Sequence, residues 1–115
     1  MRNYIWVTNQ KELFHKYPNA PDEVAFLRNE HRHIFHFKTY IEVTHNDRDI
    51  EFILFKRFIQ KFLEDVHAND LNHKSCEMLS DEIYNYINKK YPNRNIIIEV
   101  SEDKENGSYK EYLKT

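Results

Sequence analysis

One glycine, one cysteine and three prolines are all that the 115 residues contain of these types. Each shortage excludes something. A Walker loop or a dinucleotide fingerprint needs at least two glycines, because only glycine lets the backbone approach a phosphate closely. Gly107 alone supplies neither. The lone Cys76 leaves no intramolecular disulfide and no zinc site built on paired cysteines. A metal bound here must be held by histidine and carboxylate. Neither sign of charge is in large excess. A net charge of −2 is not the basic footprint that nucleic acid selects, so no nucleic-acid partner is expected. Apolar runs are only a few residues long, far short of a membrane span. The amino-terminal Met-Arg-Asn-Tyr-Ile-Trp has no signal-peptide core. The expected setting is a reducing cytoplasm.

What is present suits one packed domain over residues 1–115. Apolar residues at 40% and charged residues at 31% provide a core without the composition of a disordered chain. Residues 3–8 read as a short β-branched and aromatic strand. Residues 9–29 are polar and broken by Pro18 and Pro21, with room for a helical turn at Lys11–Lys16. From 31 to 45 a long strand follows. Phe35, Phe37, Thr39, Ile41 and Val43 share one parity and define a dry face. Asn46-Asp47 signals a turn.

Residues 50–66 carry Phe55, Phe58, Ile59, Phe62, Leu63 and Val66 at helical spacing. A loop, 67–74, leads to a second helix capped by Ser75, with Glu77 in its first turn and Pro92 at its end. A strand at 95–102 alternates Ile96, Ile98 and Val100 against Ile97, Glu99 and Ser101. Asn106-Gly107 predicts a tight turn, with a little more strand at 109–113. Strands and helices grouped in this order predict an α+β domain, with helices on one face of an antiparallel sheet. The free edges of such a sheet favour self-association.

Seven histidines are the surplus in this composition. His31 and His33 lie two residues apart on a strand, so both rings face one space. That geometry suits two ligands of one metal ion, and a third ligand would leave a fourth position open. His36 has the opposite parity. His45 and His73 read as turn or loop residues.

The order of short motifs resembles the 6-pyruvoyl- and 6-carboxy-tetrahydropterin synthase family, whose members share the tunnelling fold, or T-fold. The motifs are Phe-His-Lys-Tyr-Pro at 14–18 and His31-Arg32-His33-Ile34-Phe35. After them come Asp49-Ile50-Glu51-Phe52, Leu71-Asn72, Ser75-Cys76-Glu77-Met78-Leu79 and Ile98-Glu99-Val100-Ser101-Glu102. The resemblance runs from about Tyr4 to Tyr109. It implies a four-stranded antiparallel sheet with two helices packed on one face. It implies a homo-oligomer, often a hexamer, with sites between subunits. It also implies a zinc ion on His15, His31 and His33, and Glu102 as the anchor of a pterin-like or purine-derived ligand. A carboxylate can accept two parallel hydrogen bonds from a 2-amino-pyrimidinone edge.

The chain departs from the family where proton transfer takes place. The family's catalytic cysteine falls on Leu27, which cannot ionise. Its catalytic histidine, counted back from Leu71-Asn72, falls on Ala68, with His67 and Asp65 close by. Glu30 and Glu23 are carboxylates near the cysteine's position. Arg32 replaces the glycine between the two ligand histidines and projects to the other side of the strand. The expected function is therefore zinc-dependent, lyase-type chemistry on a dihydroneopterin-triphosphate-like or related ligand, or binding of that ligand. Proton transfer would fall to His67, Asp65 or Glu30. The alternative is a T-fold module that binds a ligand or a protein without the family's reaction.

Overall fold

The computed structural model describes residues 1–66 and 70–115. The order is β1 (Asn3–His15), a 3-10 segment (Asp22–Arg28), β2 (His31–Val43), α1 (Phe52–Val66), β3 (Asp70–Asn72), α2 (Cys76–Lys90), β4 (Ile96–Glu102) and β5 (Asn106–Tyr112). The sheet order is β3-β1-β2-β4-β5. Pairs β1–β2, β2–β4 and β4–β5 are antiparallel. The three-residue β3 joins the end of β1 in parallel. This is the expected α+β architecture, four antiparallel strands with two helices on one face, and it is consistent with a T-fold-like arrangement. The added β3 was not expected.

Burial follows strand parity. Phe35, Phe37, Ile41 and Val43 on β2 and Ile96, Ile98 and Val100 on β4 are buried. They pack against Phe55, Ile59 and Leu63 of α1 and Leu79, Ile83 and Ile87 of α2. Each such side chain stabilises the fold by about 1.5–3 kcal/mol through burial. Phe58 stacks on Tyr86 at 4.2 Å between ring centroids and so joins the two helices. The Glu51 carboxylate accepts the amides of Ile53 and Leu54 and opens α1. Ser75 accepts the Met78 amide and opens α2, as expected from its capping chemistry. Among the described residues no helix covers the other face of the sheet, where Trp6, Ile34 and Tyr109 are exposed.

Two expectations fail for identifiable reasons. The first strand does not stop at residue 8 but runs to His15, and no helical turn forms at 11–16. Polar residues hide the alternation there, because their inward side chains bond to α1. Asn9 Nδ2 donates to the Lys56 carbonyl and to Gln60 Oε1, and Lys11 Nζ donates to the Leu63 carbonyl. The β4–β5 turn is not at Asn106-Gly107. Asp103 and Lys104 take φ of 54° and 62°, and the Glu105 amide donates to the Glu102 carbonyl at 3.0 Å. Positive φ at both central residues marks a type I′ turn. Gly107 instead sits in β5 opposite Ser101. A Cβ there would lie 2.2 Å from the Val100 carbonyl oxygen.

At the far end of β2, Asp49 accepts from the Thr44 amide, the Thr44 hydroxyl and the Arg94 guanidinium. The Arg94 contact, then the Thr44 amide, hold the Asp49 carboxyl well below the usual carboxylate range. A depressed folded-state pKa stabilises the fold above the unfolded value, and that contribution fades as pH falls below about 4. Asp49→Asn therefore lowers Tm at neutral pH and flattens the loss of Tm on acidification. Melting curves across a pH series check this, and parallel curves for the two proteins would refute it. Gly107→Ala forces β4 and β5 apart and lowers unfolding free energy by about 1–3 kcal/mol in urea titrations. An unchanged midpoint would mean that the strand pair yields freely.

Candidate metal centre

The β1–β2 register sets His15 directly opposite His31 and Leu13 opposite His33. On β4, Glu102 lies opposite Phe35. All share the helix-covered face, at the end of the sheet where β1 stops and β2 begins. The ring centroids are 4.5 Å apart for His15 and His31, 5.4 Å for His15 and His33, and 4.9 Å for His31 and His33. One ligating atom from each lies within 4.8 Å of the others, a spacing that can hold a metal ion. Phe35 packs edge-on against His15 and His33 and forms an apolar floor. His36 pairs with Gln10 and Ser101 on the opposite face, as its parity requires.

Each imidazole is held from outside by its Nδ1. His15 Nδ1 lies 3.2 Å from the Lys74 carbonyl, and His31 Nδ1 lies 2.8 Å from the Asn29 carbonyl. His33 Nδ1 lies 2.7 Å from Asp103 Oδ2. Carbonyl and carboxylate oxygens only accept, so Nδ1–H donates in all three rings, and in a neutral imidazole the lone pair then sits on Nε2. This outer hydrogen bonding is the arrangement that orients metal-bound histidines. Nε2 of His15 and of His33 is buried and, among the described residues, has no hydrogen-bond partner. Leaving a buried polar atom unpaired costs about 1–3 kcal/mol, and a cation removes that penalty. Burial lowers the His15 pKa, while the Lys74 carbonyl and then Glu102 pull it up. The donor set, three imidazoles whose Nδ1 atoms already have outer partners, fits a transition-metal ion.

The carboxylate of Glu102 borders the triad. Its Oε1 is 3.4 Å from His15 Nε2 and its Oε2 is 3.2 Å from His33 Nε2. A cavity of about 560 Å³ opens beside these groups, with His31, Tyr17, Leu27 and His73 on its wall. Leu27 thus stands beside the site as an apolar surface. Cys76 also lines the cavity. Burial, then the charges of Glu102 and Glu77, push its thiol up to about 12. It stays protonated at neutral pH and is no substitute base. Glu30 and Asp65 are exposed, and neither is on the cavity wall. The structure therefore does not bring these two expected catalytic carboxylates to the site. His67 lies outside the described residues.

Two groups at the site went unrecognised in the sequence. Asp103 follows Glu102 in the turn, and its carboxylate takes His33 Nδ1 and the Ile34 amide together. Nothing in the local sequence signals a partner 70 positions away. His73 directly follows the Leu71-Asn72 motif, which was the available clue. No protein-family model matches the chain, and no curated protein matches it.

Asp103→Ala frees the His33 ring and removes its negative outer partner. Affinity for a divalent transition-metal ion, measured by competition with a chromophoric chelator, is expected to fall about 10–100-fold. Equal affinity in the two proteins would show that Asp103 does not orient the ligand.

Proposed function

We propose that the chain is a divergent protein of the tetrahydropterin synthase type, holding zinc on His15, His31 and His33 and taking a pterin-like or related purine-derived ligand in the adjoining cavity. One observation carries this reading. Three imidazoles from two paired strands each bring one ring nitrogen within 4.8 Å of the others, beside a carboxylate and an open cavity. Zinc in such a set supplies Lewis acidity toward a ligand oxygen. The chain's own residues supply the recognition. Glu102 takes the 2-amino-pyrimidinone edge through two parallel hydrogen bonds. Leu27 gives the ring an apolar wall.

Turnover as a lyase needs a proton acceptor beside the ligand. His73, on the cavity wall, is a described imidazole placed for that task, and His67 is the candidate that the resemblance suggests. A second reading is favoured by Leu27 itself, which stands where the family has its ionisable thiol. On that reading the protein binds the ligand without turning it over.

Self-association belongs to the same proposal. The outer edge of β1 is covered by β3 only at Phe14 and His15, and β5 is the opposite edge of the sheet. Neither strand contains proline. Such edges pair readily with a second copy, and closure into a ring, a hexamer by the resemblance, would bring a neighbour's surface to the site. The proposed setting is the cytoplasm, where the thiol of Cys76 stays reduced. Among the described residues no helix is long and apolar enough to cross a membrane.

Gentle purification without chelators should yield protein with stoichiometric zinc by elemental analysis. His31→Ala loses that zinc and keeps the far-UV circular dichroism of the parent. The zinc-loaded protein also raises the fluorescence anisotropy of an added pterin. Native protein free of metal refutes the zinc assignment, and unchanged anisotropy at saturating protein refutes the ligand.

A further inference from the structure

The helical layer separates its charges along its length. α1 opens on three consecutive exposed apolar side chains, Phe52, Ile53 and Leu54, at 54%, 51% and 61% exposure, and basic residues follow them. We propose that this end of the helical layer is a docking surface for an anionic lipid bilayer, which the protein meets from one side without crossing it. The proposal rests on neither the metal nor the pterin-like ligand.

Helix periodicity gathers these groups on one surface. Ile53, Arg57 and Lys61 stand at intervals of four, so their side chains form one ridge. That ridge lies on the side away from the buried Phe55, Ile59 and Leu63. Leu54 lies beside it, one turn before Phe58. The two helices meet at this point. Phe58 stacks on Tyr86, and Lys90 Nζ sits 4.6 Å from the centroid of the Phe58 ring. Lys89, also exposed, precedes it in the last turn of α2. Apolar side chains of α1 and cations of both helices therefore share one outer surface.

The cations there are unmatched. Among the described residues Arg57, Lys61, Lys89 and Lys90 form no ion pair. The carboxylates that lead into α1 are already engaged. Asp47 pairs with Arg48, Asp49 pairs with Arg94, and Glu51 accepts two amides of α1 itself. The remaining carboxylates of the two helices gather toward the opposite end. Glu64 and Asp65 lie in the last turn of α1, and Glu77, Asp81 and Glu82 in the first two turns of α2. In a chain of net charge −2, four unpaired cations in one place select an anionic partner.

The apolar residues decide which anion. A polyanion alone would use the cations and leave Phe52, Ile53 and Leu54 in water. A lipid surface meets both kinds of group at once, with anionic headgroups for the cations and acyl chains for the apolar side chains. Lysine and arginine suit that boundary, because their stems lie on apolar surface while their charges reach the headgroups. No span is required. α1 has 15 residues, short of the about 20 that a crossing needs.

Docking by this surface orients the molecule. Asn9, bonded to the Lys56 carbonyl, marks the level of the patch on β1, and His15 ends the same strand. At about 3.3 Å per residue the three-histidine cluster stands roughly 20 Å further along. The acidic end of the helical layer is then turned from the anionic surface, and the cavity beside the cluster stays open to solvent. The patch lies on neither free edge of the sheet, so pairing of those edges leaves it uncovered.

Vesicle flotation of the full-length protein tests this. Vesicles of phosphatidylcholine and phosphatidylserine in equal parts are expected to carry the protein at low salt and to release it at high salt. Vesicles of phosphatidylcholine alone are expected to leave it behind. Arg57→Gln combined with Lys61→Gln weakens binding about tenfold or more. Ile53→Ser combined with Leu54→Ser weakens it on a similar scale, by about tenfold. All four positions are exposed, so both variants keep the circular dichroism of the parent. Lys104→Gln, in the β4–β5 turn at the other end of the sheet, leaves binding unchanged. A parent protein that ignores phosphatidylserine vesicles overturns the proposal, as does equal binding to neutral vesicles. Parental binding by both double variants overturns it too. If Ile53→Ser with Leu54→Ser instead lowers the oligomeric mass in solution, the surface is a contact between copies and the proposal fails. Metal content enters none of these readouts, so their failure is distinct from failure of the zinc reading.

Discussion

The register between β1 and β2 is the constraint on which the site depends. It sets His15 against His31 and keeps both on the face that the helices cover. A slip of one residue would carry every side chain of β1 to the other face. His15 would then point away from His31 and His33, and Val7 and Leu13 would leave the core. The core and the three-histidine cluster therefore specify the same register. Asn9 and Lys11 reinforce it through bonds to backbone carbonyls of α1 that only an inward direction allows. The site inherits the stability of the sheet rather than relying on a mobile loop.

How much of this was legible in the sequence depended on what each side chain bonds to. β2 and β4 announce themselves because the middle of each strand is apolar on its inward side, apart from Thr39 on β2, and packs against apolar partners. The helices read correctly for the same reason, with Ser75 and Pro92 bounding α2. The second half of β1 was illegible because its inward Asn9 and Lys11 answer helix carbonyls, a pairing with no periodic signature. Gly107 was read as a turn residue on the strength of Asn106-Gly107, yet its function is to let two backbones approach. The turn falls three residues earlier, on Asp103 and Lys104, residues that reach positive φ without glycine.

The site divided along the same line. His31 and His33 follow from strand parity, and His15 came only through the resemblance of motif order. The structure brings all three together. Asp103 could not be foreseen, because its role depends on a tertiary contact to His33. Glu30 and Asp65 were expected near the chemistry by sequence proximity, and they stay in solvent because neither belongs to an inward-facing position. Beside the three imidazoles, among the described residues, stand the Glu102 carboxylate, the apolar Leu27, the protonated thiol of Cys76 and the His73 ring.

The central claim is that three Nε2 atoms, preset by their outer hydrogen bonds, converge on one zinc ion. Anomalous diffraction from crystals of the purified protein, recorded on both sides of the zinc absorption edge, tests it most directly. The account predicts a single strong peak between His15, His31 and His33 that vanishes below the edge. A triad with no peak after equilibration with zinc, or zinc found elsewhere on the chain, would contradict it.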